Sequence, residues 1–382
     1  MRKVKQISLF IFSVSVGLVF SELLLRKLTN KSFGLGTNFI TERVYEHKGS
    51  VYRFDKDLGW SNQENLRLSD FKERPLGFQN VRQYFTLTTD EYGFRSSPNV
   101  WSVNLEPSSG LILAEGDSFT FGDEVSDDET WSTHLQAIKK VRVVNGGVSS
   151  FGLDQIFIKI QRDLPLVQPK VVILSVMGNT LKRTTLTHKI SSPFCDTREK
   201  PFFVKAGSEL RLERGVIQER IAERKLDPIR TIFGHSVILD SFFNSWFRRY
   251  WNCVPRESDY PMNLRTQQDY LEISCLLLKK ILRFTEKSGV RLVVVGQAYW
   301  NPHGQRYARD KDIEAFLKCA SNLSVPHLNF DSSLEGIFYE DSNRYQSLFF
   351  LGTHMTNQGN LVVAQEINQA FFKKNGNINT LK

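Results

Sequence analysis

From Leu111 onward the chain repeats one rhythm: a short apolar run, then a stretch whose apolar residues recur every three or four positions. The runs are Leu111–Glu115, Val141–Val144, Lys170–Val176, Val290–Val295 and Val325–Asn329, most of them rich in Val, Ile and Leu. Unbroken apolarity, in place of strict alternation, marks strands covered on both faces. Such strands interleaved with helices predict a three-layer α/β/α domain built on a parallel, doubly wound sheet. The helical stretches fit. Trp131, Leu135 and Ile138 fall at i, i+4 and i+7; Leu271, Leu278, Ile281 and Leu282 share a face that ends at Ser288-Gly289. Val363, Ile367 and Phe371 line a last helix. Pro326 confines the fifth run to a sheet edge or to its first residues.

Two regions depart from this rhythm. Residues 29–105 are aromatic-rich and irregular, with turn signals at Asp57-Leu58-Gly59 and Asp90-Glu91-Tyr92-Gly93 and a partly alternating strand over Val81–Thr89. They read as a small β-rich preface. A long interruption at 187–262 separates the third and fourth runs and carries a hairpin over Phe202–Leu212 and an aromatic helix around Ser241–Trp251. The expected organisation is therefore an anchor over 1–28, the preface over 29–105, and the main domain over 106–382 with its insertion.

The anchor rests on Ile7 to Leu25, apolar but for Glu22 and a few serines, and preceded by Arg2, Lys3 and Lys5. Its nineteen residues would extend about 28 Å as a helix at ~1.5 Å rise, close to the ~30 Å of bilayer hydrocarbon. The basic cluster favours a cytoplasmic N-terminus, with the following domain on the periplasmic or extracellular side of the membrane. A cleaved signal peptide ending near Val19 and Ser21 is the competing reading, and it exports the same domain.

The net charge of +9 is scattered, with local spots at Met1–Lys5, Lys182-Arg183 and Arg248-Arg249 and no basic stripe interleaved with aromatics. Nucleic acid is not the expected partner. Anionic lipid or an acidic glycan accounts for the same charge. The cysteines are Cys195, Cys253, Cys275 and Cys319. None has metal-ligand spacing, so neither metal nor cofactor is expected. Cys275, in an apolar run, reads as a small core residue, and Cys195 with Cys253 as a conceivable pair in an oxidising compartment.

In an open parallel sheet, ligands bind beyond the carboxyl ends of the strands. There the sequence places three clusters of small and polar residues: Gly116-Asp117-Ser118-Phe119-Thr120-Phe121-Gly122, then Asn145-Gly146-Gly147-Val148-Ser149-Ser150-Phe151-Gly152, then Met177-Gly178-Asn179-Thr180. Each alone could be an ordinary βα turn. Three in succession at one edge point to a site.

These clusters resemble the blocks of the SGNH/GDSL hydrolase family, and of its membrane-anchored bacterial branch in particular. Asp128-Glu129-Thr130-Trp131 extends the first match. His354-Met355-Thr356-Asn357-Gln358-Gly359-Asn360 resembles the histidine block, while Leu58-Gly59-Trp60 and Tyr92-Gly93-Phe94-Arg95 resemble the branch's preface. The resemblance implies an SGNH/flavodoxin-like fold, Ser118 as nucleophile and His354 as general base. It also implies an oxyanion hole from the Ser118 and Ser150 backbone N–H groups and the Asn179 side chain. Asp117 is expected to be structural.

Three departures stand out. Ser150 occupies the family's usual oxyanion glycine, and Thr180 its third-block aspartate. More seriously, the acid expected two or three residues ahead of the histidine is absent, since Leu351 and Gly352 stand there. Either a carboxylate from elsewhere (Asp331, Glu340 or Asp341) orients the ring, or a Ser–His dyad leans on a backbone carbonyl, or activity is lost. The implied function is an exported, membrane-tethered esterase or O-acyltransferase acting through an acyl-enzyme at Ser118, on an acyl ester of an envelope glycan. The alternatives are a catalytically degenerate carbohydrate-binding or scaffold protein and a lipid-acting esterase.

Overall fold

A computed structural model describes residues 2–29, 51–76, 79–97, 110–186, 200–207, 209–213, 236–247, 267–299, 302–303, 306–350 and 354–373. The chain divides into two compact units, one made of Val51–Thr187, Glu199–Gln218 and Leu264–Lys382, the other of Met1–Ser50, His188–Arg198 and Glu219–Asn263.

The larger unit opens with two antiparallel ribbons, β1 (Tyr52–Asp55) with β2 (Gly59–Asn62) and β3 (Arg67–Leu76) with β4 (Gln79–Thr88). Five parallel strands follow: β5 (Ile112–Glu115), β6 (Val143–Asn145), β7 (Val171–Val176), β10 (Arg291–Gly296) and β13 (His327–Asn329). Between them lie two short antiparallel ribbons. A hairpin of β8 (Phe202–Ala206) and β9 (Glu209–Glu213) falls where the 202–212 hairpin is expected, and β11 (Pro302–His303) pairs with β12 (Arg306–Tyr307). The spatial order is β13-β10-β7-β5-β6. The fifth run, the one with Pro326, lies at an edge.

Within β7 and β10 the side chains alternate between two cores. Val172, Leu174, Leu292 and Val294 pack into one layer, Val171, Ile173, Val293 and Val295 into the other. The first layer is covered by α4 (Leu153–Val167), α7 (Gln267–Lys287) and α8 (Lys311–Asn322). Over the second lie α3 (Trp131–Lys139), α9 (Phe330–Glu340) and α11 (Asn357–Phe371). Three shorter helices complete the list: α2 (Ser118–Phe121), α5 (Gly178–Arg183) and α10 (Ser342–Ser347). Leu278, Ile281, Val363 and Ile367 are fully buried, as their spacing demands, whereas Ile138 is exposed.

The other unit contains α1 (Arg2–Thr29) and α6 (Val237–Trp246). Helix α1 takes in the whole apolar run, yet no helix among the described residues is long and apolar enough to cross a membrane. Glu22 pairs with Arg26 at 2.8 Å. It also accepts from Ser236 Oγ at 2.9 Å and from the Val237 and Ile238 N–H groups at 2.8 and 3.1 Å. Those are the orphan donors at the start of α6, so the carboxylate is spent on a cap.

Cys275 is not a plain core residue: it forms a disulfide with Cys319, tying α7 to α8. Their Cα atoms stand 5.8 Å apart, inside the range a disulfide spans without moving backbone. Cys195 and Cys253 lie outside the described residues. Closing a loop of 44 residues should stabilise the domain by about 4 kcal/mol through the unfolded chain. A reducing agent, or Cys275→Ser, should lower the denaturation midpoint accordingly; an unchanged midpoint would show that the bond contributes nothing.

Candidate active site

Strand order reverses between β5 and β7, because β6 lies on one side of β5 and β7, β10 and β13 on the other. The loops leaving β5 and β7 therefore diverge and open a crevice at their carboxyl ends. Ser118 follows β5 and Asn179 follows β7.

The turn that carries Ser118 is held shut by packing and by Asp117. At Gly116 any Cβ would collide with Thr120 Oγ1 and the Ser175 carbonyl. Asp117 caps α2, accepting from the Phe119 N–H at 3.0 Å, and reaches the third cluster through Thr180 Oγ1 at 2.6 Å and Arg183 Nη1 at 3.3 Å. Thr180, where the family pattern has an acid, thus serves as the donor to Asp117. The second cluster packs as closely. A Cβ on Gly147 would overlap the Phe121 amide nitrogen. Val148 donates its N–H to the Gly116 carbonyl at 3.1 Å, and Ser149 Oγ donates to Asp123 at 2.6 Å.

Ser150 has φ +66, the left-handed region that costs a side-chain-bearing residue about 1–2 kcal/mol. The glycine-like backbone is kept with a serine in it. Among the described residues, no group of the protein takes up the Ser118 or Ser150 backbone N–H. Asn179 donates one amide hydrogen to the Tyr299 hydroxyl at 2.8 Å, which leaves its second for another acceptor. Tyr299 packs edge-on against Phe119, and Phe119 lies 5.0 Å from the imidazole of His354.

His354 comes from the loop ahead of α11, whose N-cap is Thr356. Its Nε2 stands 2.9 Å from Ser118 Oγ. None of the three carboxylates considered as its orienting acid is beside it. Asp331 accepts from the Tyr307 hydroxyl and the Asp310 N–H; Asp341 caps α10; Glu340 is exposed at the end of α9. The carboxylate at the other ring nitrogen is Glu124, with Oε1 3.5 Å from Nδ1. Burial disfavours the charged ring, but Glu124, Asp123 and Asp117 outweigh it and hold His354 above its usual range. Sequence reasoning missed Glu124 because it sits in the loop that carries Ser118, six residues past it, where the pattern has no acid.

The preface reaches the same loops. Trp60 donates its indole N–H to the Ser149 carbonyl at 3.0 Å, and Asn62 Nδ2 bonds the Gly147 carbonyl at 2.9 Å. Arg95 is fully enclosed. It pairs with Asp127 and donates to the carbonyls of Phe121, Gly122 and Val125 at 3.3, 3.1 and 2.7 Å. Beside Asn179 and Tyr299 opens a cavity of about 570 Å³, lined also by Lys182, Arg309, Asp310 and Asp331. Among the described residues, no group of three or more His, Cys, Asp or Glu is placed to hold a metal.

The structure thus brings a serine and an imidazole into contact at the switch point of an open parallel sheet, in an α/β domain. No family model matches the chain, and no curated protein matches it. Among solved structures it is similar to a G-D-S-L family protein described as lipolytic from Desulfitobacterium hafniense, at 15% identity and a TM-score of 0.38, covering 68% of this chain and 98% of that one. An esterase from Pseudoalteromonas sp. matches at 12% identity and 0.36, covering 68% and 95%. An acetyl xylan esterase from Geobacillus stearothermophilus matches at 12% and 0.37, covering 69% and 94%. Likenesses this distant assign no role to any residue.

Replacing Arg95 with Met would leave Asp127 buried without its guanidinium and free three carbonyls of the nucleophile loop. Urea denaturation should then show a loss of about 3–5 kcal/mol; a loss under about 1 kcal/mol would mean that the clamp is dispensable.

Proposed function

We propose that this chain is a serine hydrolase or O-acyltransferase of the SGNH type, acting on an ester bond through an acyl-enzyme at Ser118. The observation that carries the reading is the 2.9 Å contact between His354 Nε2 and Ser118 Oγ. In this reading Ser118 Oγ attacks the ester carbonyl carbon and its proton passes to Nε2. The ester C–O bond breaks as that proton moves on to the departing alkoxide. Water, or a sugar hydroxyl, then gives its proton to Nε2 and attacks the acyl carbon. The acyl carbon–Oγ bond breaks as Nε2 returns the proton to Ser118 Oγ, yielding an acid or a transferred ester. The charge that develops on the carbonyl oxygen meets the Ser118 and Ser150 N–H groups and the Asn179 amide, each such donor being worth roughly 3–4 kcal/mol.

The cavity beside Asn179 supports a polar substrate. Its lining of Lys182, Arg309, Asp310 and Asp331 suits a sugar's hydroxyls and any charged substituents better than an alkyl chain, so an O-acylated envelope glycan is favoured over a lipid. Export is supported by the Cys275–Cys319 disulfide, a bond that persists in oxidising compartments. Attachment to the membrane through residues 7–25 is part of the proposal, supported by the continuous helix that holds this run. Against a degenerate binding module stands the short Ser–His separation.

The test compares the full-length chain with Ser118→Ala on p-nitrophenyl acetate, together with labelling by a fluorophosphonate. The wild type should be labelled, and the variant should lose on the order of 10³-fold or more in turnover. Equal hydrolysis by both, with no labelling of the wild type, would remove Ser118 from the chemistry.

A further inference from the structure

We propose that Glu124 is the positioning acid of the Ser118–His354 pair, supplied by the nucleophile's own loop and not by the segment that carries the histidine. The inference rests on the reading of Ser118 and His354 as nucleophile and base.

For Nε2 to take a proton from Ser118, the ring's own hydrogen must sit on Nδ1. That nitrogen is buried and makes no ordinary hydrogen bond among the described residues. Glu124 Oε1 faces it at 3.5 Å. The separation is that of an ion pair, of the kind that tightens once the ring is charged during reaction.

The other acids near the imidazole are Asp117 and Asp123. Asp117 is taken by Phe119, Thr180 and Arg183, and Asp123 by Ser149. A second observation is independent of distance. Glu124 has φ +77, a backbone region that suits glycine, and its side chain is only 10% exposed. A long carboxylate held indoors on such a backbone is the kind of outlier that gathers at functional sites.

The experiment uses the full-length chain, Glu124→Gln and Glu124→Gly. Glutamine keeps the shape without the charge. Glycine is at ease at this φ, so its folding is not in question. Fluorophosphonate labelling of Ser118 is followed from about pH 5 to about pH 9, with kcat and KM on p-nitrophenyl acetate. The neutral imidazole is the base, and the nearby carboxylates raise its pKa. Removing one should therefore shift the acid limb of the profile to lower pH. In both variants kcat should fall on the order of 10³-fold with KM little changed, approaching the ~10⁴ lost when a serine protease loses its orienting acid. A kcat within about threefold of wild type in both variants, with an unmoved limb, overturns the proposal while Ser118 stays labelled. An unlabelled wild type whose ester hydrolysis survives Ser118→Ala overturns instead the reading beneath it.

Discussion

The crevice between the loops after β5 and β7 exists because the sheet reverses its order there, and one buried carboxylate ties its two walls together. Reversal alone would let two turns drift apart, since each is anchored only by its own strand and helix. Asp117 stops that by capping the turn that carries Ser118 while holding Thr180 and Arg183 of the helix that carries Asn179. Ser118 and Asn179 are thereby fixed relative to each other, and small residues let the second cluster close in from the β6 side. A charge-assisted bond of this kind is roughly twice as strong as a neutral one. Here its value is geometric, because misplacement by about 1 Å in an active site can cost ~10²-fold in rate.

Around this centre the preface acts as an outer brace. Arg95 threads a guanidinium beneath the loop that follows Ser118 and takes up three carbonyls that its tight path leaves without helical partners. Trp60 and Asn62 perform the same service for the second cluster. A loop that turns this sharply cannot satisfy its own backbone, and an orphaned buried carbonyl is costly. The residues over 51–97 are therefore part of what makes the site rigid, although no step of the proposed chemistry passes through them.

Much of this was legible in the sequence, for identifiable reasons. The inner strands announced themselves because both of their faces are apolar, whereas β13, a half-exposed edge strand, carries the least apolar pattern. The placement of Ser118 and Asn179 at the crevice was legible because each directly follows such a run. Ser150 was legible as a departure, and its φ of +66 shows that the backbone kept the shape a glycine would have taken. What escaped has a common cause. Glu124, Tyr299 and the Cys275–Cys319 pair act through space, between segments whose nearness depends on tertiary packing; neither hydrophobic period nor motif spacing encodes it. Asp331, Glu340 and Asp341 are carboxylates from elsewhere in the chain whose partners only the fold reveals. Folding spends Asp331 on Tyr307 and Asp341 on a helix cap.

Placing the acid at Glu124 changes how the pair is coupled. With an aspartate ahead of the histidine, base and acid would share a segment and the serine would come from another, so any relative shift would open the Ser–His contact while leaving the His–acid contact intact. With Glu124, serine and acid ride on one clamped loop, which contacts the imidazole at Nε2 and faces it at Nδ1. Movement of the histidine segment then breaks both contacts together, and seating it restores both. The rigidity supplied by Arg95 and Asp117 is transmitted to the acid as well as to the nucleophile. In return the acid's backbone stays in a left-handed conformation that a side chain resists, a local cost of order 1–3 kcal/mol that the surrounding clamp must outweigh.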